Sequence, residues 1–95
     1  MHKIPGVSVI MSVFNGEDFL ADAIKSVLNQ TFTNFEFIIV DDGSNDSSLA
    51  IIQSFQELDS RIKIIVHKNQ GLAKSLNIGI EHSIGKYIAR IDADD

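Results

Sequence analysis

Three carboxylates within four residues, Asp92-Ala93-Asp94-Asp95, form the densest charge in this chain. Like charges this close repel, and the repulsion grows as water is excluded. A divalent cation relieves it, and hard oxygen ligands suit Mg²⁺ or Mn²⁺. With Asp92 and Asp94 one residue apart on a turn, one carboxylate can touch the metal while the other holds a ribose or a bound water. Taken alone, the pattern equally describes a solvated acidic turn. A second acidic pair stands in Asp41-Asp42-Gly43-Ser44. One acid or the serine suffices to cap a following helix, and the glycine permits a tight turn. Two adjacent carboxylates exceed that need, so the other is free to accept from a donor such as a uracil imide N–H.

Phe14 is either a core residue or a face on which a base stacks. Lys74 falls in the first turn of a predicted helix, where the dipole disfavours a cation. A diphosphate at that helix start would give a reason for the lysine and for the exposed backbone N–H groups; a solvated surface charge is the alternative. His2, His67 and His82 show no metal-ligand spacing and read as structural or surface residues. Neither G-x-x-x-x-G-K-[ST] nor G-x-G-x-x-G occurs, which disfavours nucleoside triphosphate hydrolysis and dinucleotide binding. There is no cysteine, so disulfides, thiol catalysis and cysteine-based zinc sites are excluded.

The elements that must position these groups are legible from periodicity. Val7 to Phe14 is apolar with small hydroxyls interleaved, as expected of a strand covered on both faces. Asn15-Gly16 breaks it. Between Asp18 and Gln30, Phe19, Leu20, Ala23, Ile24, Val27 and Leu28 have the spacing of one helix face. Phe35 to Val40 is a second strand. A second helix is predicted from about Asp46 to Leu58, capped by Ser44 or Asp46. Ile62 to His67 is a third strand, and Gly71 to Ser83 a third helix closed by Gly85. Tyr87 to Ile91 is a fourth strand running into the acidic cluster.

Strict alternation with short connections predicts an α/β fold: a Rossmann-like parallel sheet with helices on both faces. By analogy with such half-folds the strand order is 3-2-1-4. Sheets of this kind bind ligands beyond the carboxyl ends of their strands. Polar residues gather at all four of those ends: Ser12 and Asn15, Asp41 and Asp42, His67 and Asn69, and Asp92, Asp94 and Asp95. A purely structural sheet has no need to load one rim with acid, so the segregation points to a site there.

The chain has 95 residues, 44% apolar and 22% charged, the balance of a small globular domain. A formal net charge of −5 speaks against a nucleic-acid partner or a membrane-surface binder, which would need a basic face. The apolar start is too short for a membrane span and lacks a small-residue cleavage site. The visible chain therefore reads as cytoplasmic, with room for a membrane anchor beyond Asp95.

VSVIMSVFN, NQTF followed by FEFIIVDDGSNDSS, NQGLAKSLNIGI and GKYIARIDADD resemble, in this order, the sequence blocks of family 2 glycosyltransferases. The likeness runs from Val7 to Asp95. It implies the N-terminal, nucleotide-sugar-binding part of a GT-A fold, residues 1–95, truncated after the Asp-x-Asp motif. It also implies transfer of a sugar from a nucleotide-diphosphate donor, foremost a UDP-sugar, with Mn²⁺ or Mg²⁺. By the same likeness Ser12, Val13 and Phe14 line the nucleotide pocket, with the ring against the base. Family members often carry tyrosine at Phe14; phenylalanine keeps the stacking face and loses a hydroxyl. Asp42 then bonds the base, with Asp41 nearer the strand-to-helix turn. Asn69 and Lys74 lie near ribose and diphosphate. Asp92 and Ala93 border the nucleotide, and Asp94, with Asp92, holds the metal.

In the family the acceptor half and the catalytic base follow the Asp-x-Asp motif. A base beyond Asp95 is therefore expected, with an unknown saccharide or lipid-linked acceptor. The 95 residues alone are expected to bind without transferring sugar. Their exposed fourth strand is expected to invite self-association. The alternatives are a non-catalytic nucleotide and metal module, or another α/β phosphoryl-handling enzyme. Phe14-Asn15 after the first strand speaks against a phosphoaspartate phosphatase. Acidic Asn15-Gly16-Glu17-Asp18 speaks against the basic glycine-rich loop of a nucleotidyltransferase.

Overall fold

Strands β1 (Val7–Val13), β2 (Phe35–Asp41), β3 (Ile62–Val66) and β4 (Tyr87–Asp92) alternate with helices α1 (Leu20–Leu28), α2 (Ser48–Leu58) and α3 (Leu72–Glu81) in a computed structural model. The structure describes residues 4–92, so the expectations placed on Ala93, Asp94 and Asp95 lie outside the described residues. All three strand pairings are parallel, and the order across the sheet is β3-β2-β1-β4, as expected.

Side-chain alternation divides the core between two faces. Val9, Met11, Val13, Phe37 and Ile39 pack beneath α1 and α2. Ile10, Ile38 and Val40 form a smaller cluster with Leu76 of α3. Helix α1 buries Leu20, Ala23, Ile24 and Val27 as one stripe. Every residue of β2 is buried, which is why that strand reads as an apolar run with one acid near each end. Helix α3 lies over β1 and β2. Its approach is set by Gly79, where a Cβ would stand 2.6 Å from Ile10 Cγ2. Strand β4 is the thinly covered edge, with Tyr87 and Ile88 exposed.

The helices are shorter than their periodicity, because Phe19 and Asn29 take the cap positions of α1, and Ser47 and Asp59 those of α2. Ser47 makes no side-chain cap bond. Asp46 does serve the helix entry, since its Oδ1 accepts from the Ser48 N–H at 2.9 Å. Gly85 does not close α3, whose C-cap is His82. It lies instead where the chain enters β4, and a Cβ there would stand 2.6 Å from the Ser8 backbone nitrogen.

The acid near the start of β2 is Glu36, only 4% exposed. The Ser8 hydroxyl donates to its Oε2, Lys63 Nζ lies 2.7 Å from Oε1, and the Ile84 N–H donates to Oε2 at 2.8 Å. Ser8 Oγ in turn accepts from the Gly85 N–H. One carboxylate thus ties β1, β2 and β3 to the start of β4, at the end of the sheet opposite the acidic rim.

Burial works to raise the Glu36 pKa, but the Ile84 amide, Lys63 and Ser8 together outweigh it and hold the group below its ordinary 4.5. A lowered folded pKa means that the contribution is complete above the unfolded value. It is lost as pH falls through the folded one. Glu36→Gln turns an NH₂ toward donors and is expected to cost about 2 kcal/mol at neutral pH. Urea midpoints followed from pH 7 downward check this. The gap between wild type and variant should narrow below pH 4.5, and a pH-independent gap would sink the assignment.

Candidate functional site at the carboxyl rim

Two loops meet at the carboxyl ends of β1 and β2 and bond reciprocally. The Asn15 N–H donates to Ser44 Oγ, while the Asn45 N–H donates to Asn15 Oδ1 at 2.8 Å. The Gly16 N–H donates to Ser48 Oγ, and the Glu17 N–H to Asp46 Oδ2. Glu17 Oε2 accepts from the Ser47 N–H. The Ser48 hydroxyl, with the amides of Ser48 and Glu17, holds the Asp46 carboxyl below the usual range. Asn15 takes φ 50°, a left-handed value that asparagine tolerates better than most residues. Asn15-Gly16 is therefore a break in β1, as its sequence predicts, and also half of a cross-link to the next loop.

Asp41 and Asp42 point to opposite faces. Asp42 is buried, and its Oδ1 and Oδ2 accept from the Gln70 and Gly71 N–H groups at 2.9 and 3.1 Å. Those amides stand at the start of α3, where unpaired N–H groups and the helix dipole favour a carboxylate. Asp42 therefore caps α3, not the helix that follows it in sequence. Asp41, 2% exposed, leaves Oδ1 without a partner among the described residues. His67 sits beside Asp42 with Nδ1 3.5 Å from Oδ1, and the same nitrogen donates to the Lys68 carbonyl at 2.7 Å. Its Nε2 is buried without a partner among the described residues. Asn69 packs its backbone on Gly43, whose φ of +75° and absent Cβ admit the contact.

In front of these groups a cleft of about 470 Å³ opens between β1, α1, α3 and β4. Ser12, Phe14 and Asp92 share its wall with Asn15, Phe19 and Arg90. Phe14 is 50% exposed, so its ring offers a face to the cleft and not to the core. The Ser12 hydroxyl donates to Ser75 Oγ at 2.8 Å, which ties β1 to the first turn of α3. Ser12 pairs with Asp92 across β1 and β4.

Of the expected site residues, Val13, Asp41, Asp42, Asn69 and Lys74 are not on the cleft wall. The Val13 side chain is buried under α1, and its carbonyl accepts from the Asp42 N–H. Lys74 is exposed on α3 and does not line the cleft. Asp41 and Asp42 lie behind the wall. Arg90 and Phe19 line the cleft without having been anticipated. A charge inside the strand YIARI was the available signal for Arg90; Phe19 carried none beyond its place in an apolar stripe.

A four-stranded parallel sheet of order 3-2-1-4 with helices on both faces and a cleft at its carboxyl rim defines a Rossmann-like α/β class of domain. The family described as glycosyl transferase family 2 matches residues 8–95, and the chain belongs to that family. An uncharacterized glycosyltransferase of Haemophilus influenzae is 47% identical over 96 residues, covering 100% of this chain and 30% of that protein. The chain thus spans about a third of the curated relative's length. Among solved structures, S. aureus TarS 1-349 in complex with UDP-GlcNAc superposes with a TM-score of 0.86 at 27% identity, covering 93% of this chain and 26% of the other. A mannosyltransferase from Pyrobaculum calidifontis in complex with GDP-Man and Mn²⁺ reaches a TM-score of 0.88 at 22% identity, covering 95% and 28%. That second likeness concerns the fold alone.

The capping geometry has a direct test. Asp42→Ala removes both acceptors from the α3 entry and should cost about 1 kcal/mol. The Gln70 and Gly71 amides should exchange faster with solvent by NMR, while amides in the middle of β1 keep their relative protection. Unchanged exchange at both positions would show that the cap is idle.

Proposed function

We propose that this chain is the donor-binding part of a glycosyltransferase that uses a nucleotide-diphosphate sugar, foremost a UDP-sugar. The observation that carries the reading is the convergence of Phe14, Ser12 and Asp92 on one cleft at the carboxyl rim. An exposed aromatic face suits a base at one end of a ligand, and a nearby carboxylate suits a cation that would bridge to phosphates at the other. A neighbouring fold at 27% identity that holds UDP-GlcNAc supports the same class of ligand. Asp42 bonds the amides that enter α3 and Lys74 lies in that helix's first turn, both outside the cleft wall. The acceptor is a saccharide or a lipid-linked sugar, and transfer belongs to the whole protein.

A divalent cation, Mn²⁺ or Mg²⁺, belongs to the proposal through its acidic donors. Among the described residues no group of three His, Asp or Glu side chains could hold a metal ion. Asp92 is nevertheless a half-exposed carboxylate on the cleft wall, with the hard-oxygen chemistry that such a cation takes. Asp92 would hold it together with Asp94. A bound cation would neutralise charge developing on the leaving diphosphate.

Calorimetry with UDP and Mn²⁺ on the 95-residue chain tests this reading, with binding and not turnover as the readout. Phe14→Ala should weaken UDP about tenfold, the value of one lost base stack. Asp94→Ala should remove the Mn²⁺ dependence. A folded wild-type chain that binds neither UDP nor GDP with Mn²⁺ would end the proposal.

Self-association through β4 is a second element of the proposal. The outer edge of β4 has no neighbouring strand among the described residues, and Tyr87 and Ile88 are exposed on it. Sedimentation should show a dimer at high concentration that Ile88→Lys disperses; a monomer throughout would refute it.

A further inference from the structure

We infer that Arg90 binds the phosphates of the donor. The inference rests on the donor reading above and adds a residue that neither the spacing of the acidic motifs nor the family likeness singled out.

Arg90 occupies the middle of β4 with buried Ile10 as its partner on β1. The residue borders an apolar groove with Ile10, Leu76 and Ile88, a setting in which a structural strand would place an aliphatic residue. Nη2 lies 3.5 Å from Asp92 Oδ1, two residues toward the carboxyl end, so the guanidinium aims at the rim and joins the cleft wall. With Nη2 held beside Asp92, the side chain presents its charge at the rim.

The contact with Asp92 does not account for the residue. The two side chains are 55% and 48% exposed, and an exposed pair at that distance contributes little. A guanidinium carries five N–H donors in a planar fork. Only this one contact, at the limit of hydrogen bonding, is recorded for it among the described residues. The fork matches phosphate oxygens two at a time.

Charge makes the same demand. The chain carries a net −5, and an incoming diphosphate adds more negative charge at a rim already rich in acid. Among the described residues on the cleft wall Arg90 is the one cation and Asp92 the one anion. Lys74, the cation expected to meet the diphosphate, does not reach that wall. Arg90 therefore supplies at the cleft the charge that Lys74 was expected to bring.

The test compares UDP, uridine and inorganic pyrophosphate on wild type, Arg90→Ala and Arg90→Lys, by calorimetry at low ionic strength with Mn²⁺ held constant. Circular dichroism melts confirm that the variants fold. Arg90→Ala should weaken UDP and pyrophosphate about tenfold and leave uridine unchanged, with Arg90→Lys in between because it keeps the charge and loses the fork. Weakening of UDP should also be smaller at high salt. Equal weakening of UDP and uridine would overturn the inference, as would unchanged pyrophosphate binding in Arg90→Ala. Pyrophosphate bound by wild type and lost in Arg90→Ala, with uridine bound by neither, would uphold Arg90 while sinking the base-reading part of the proposed function.

Discussion

Burying two parallel strands on both faces leaves a polar side chain little room except at the strand ends. In β2 every residue is buried, and the strand still carries Glu36 near one end and Asp41 at the other. The two ends are treated differently. Glu36 is surrounded by the Ser8 hydroxyl, Lys63 and the Ile84 amide, a closed network in which both carboxylate oxygens have partners. At the other end Asp41 keeps an oxygen without a partner among the described residues, and Asp92 stands half-exposed on β4. Unspent acceptor capacity therefore collects at the rim where parallel sheets take their ligands. The opposite end serves cohesion.

Rigidity at that rim comes from loops that bond each other more than themselves. Asn15, Gly16 and Glu17 exchange hydrogen bonds with residues 44–48, so the turns after β1 and β2 behave as one unit. Asp42 extends the unit to α3 by capping its first amides, and the Ser12–Ser75 bond adds a second tie. A cleft assembled this way needs little ordering when a ligand arrives, and ordering is a principal cost of binding. The same arrangement links Asp42 to the helix whose N-terminus faces the rim.

The side of the cleft formed by β4 is the open one. Strand β4 has β1 on one flank and no strand on the other among the described residues, while α3 sits over β1 and β2. Arg90 and Asp92 stand on this bare margin, half-exposed, where both still have capacity for further partners. The chain covers about a third of the relative's length.

Much of this was written in the sequence. Alternation of apolar runs with helical stripes fixed the seven elements, their short connections implied a parallel sheet, and the acidic strand ends located the rim. These signals are local: periodicity and turn chemistry act over a few residues and leave their mark in the letters themselves. The division of labour among the acids was not legible. Asp42 sits next to α2 in sequence, yet its partners are amides 28 and 29 residues on, at the start of α3. Glu36 lies among aromatics in a strand buried on both faces, where parity cannot tell a satisfied charge from an apolar neighbour, and one of its partners is 48 residues away. Val13 and Ser12 are adjacent letters, but the pleat sends one into the core and ties the other to α3. Such outcomes depend on strand order, register and the seating of α3. Only the folded chain settles those, because they are decided by contacts between segments that no local pattern encodes.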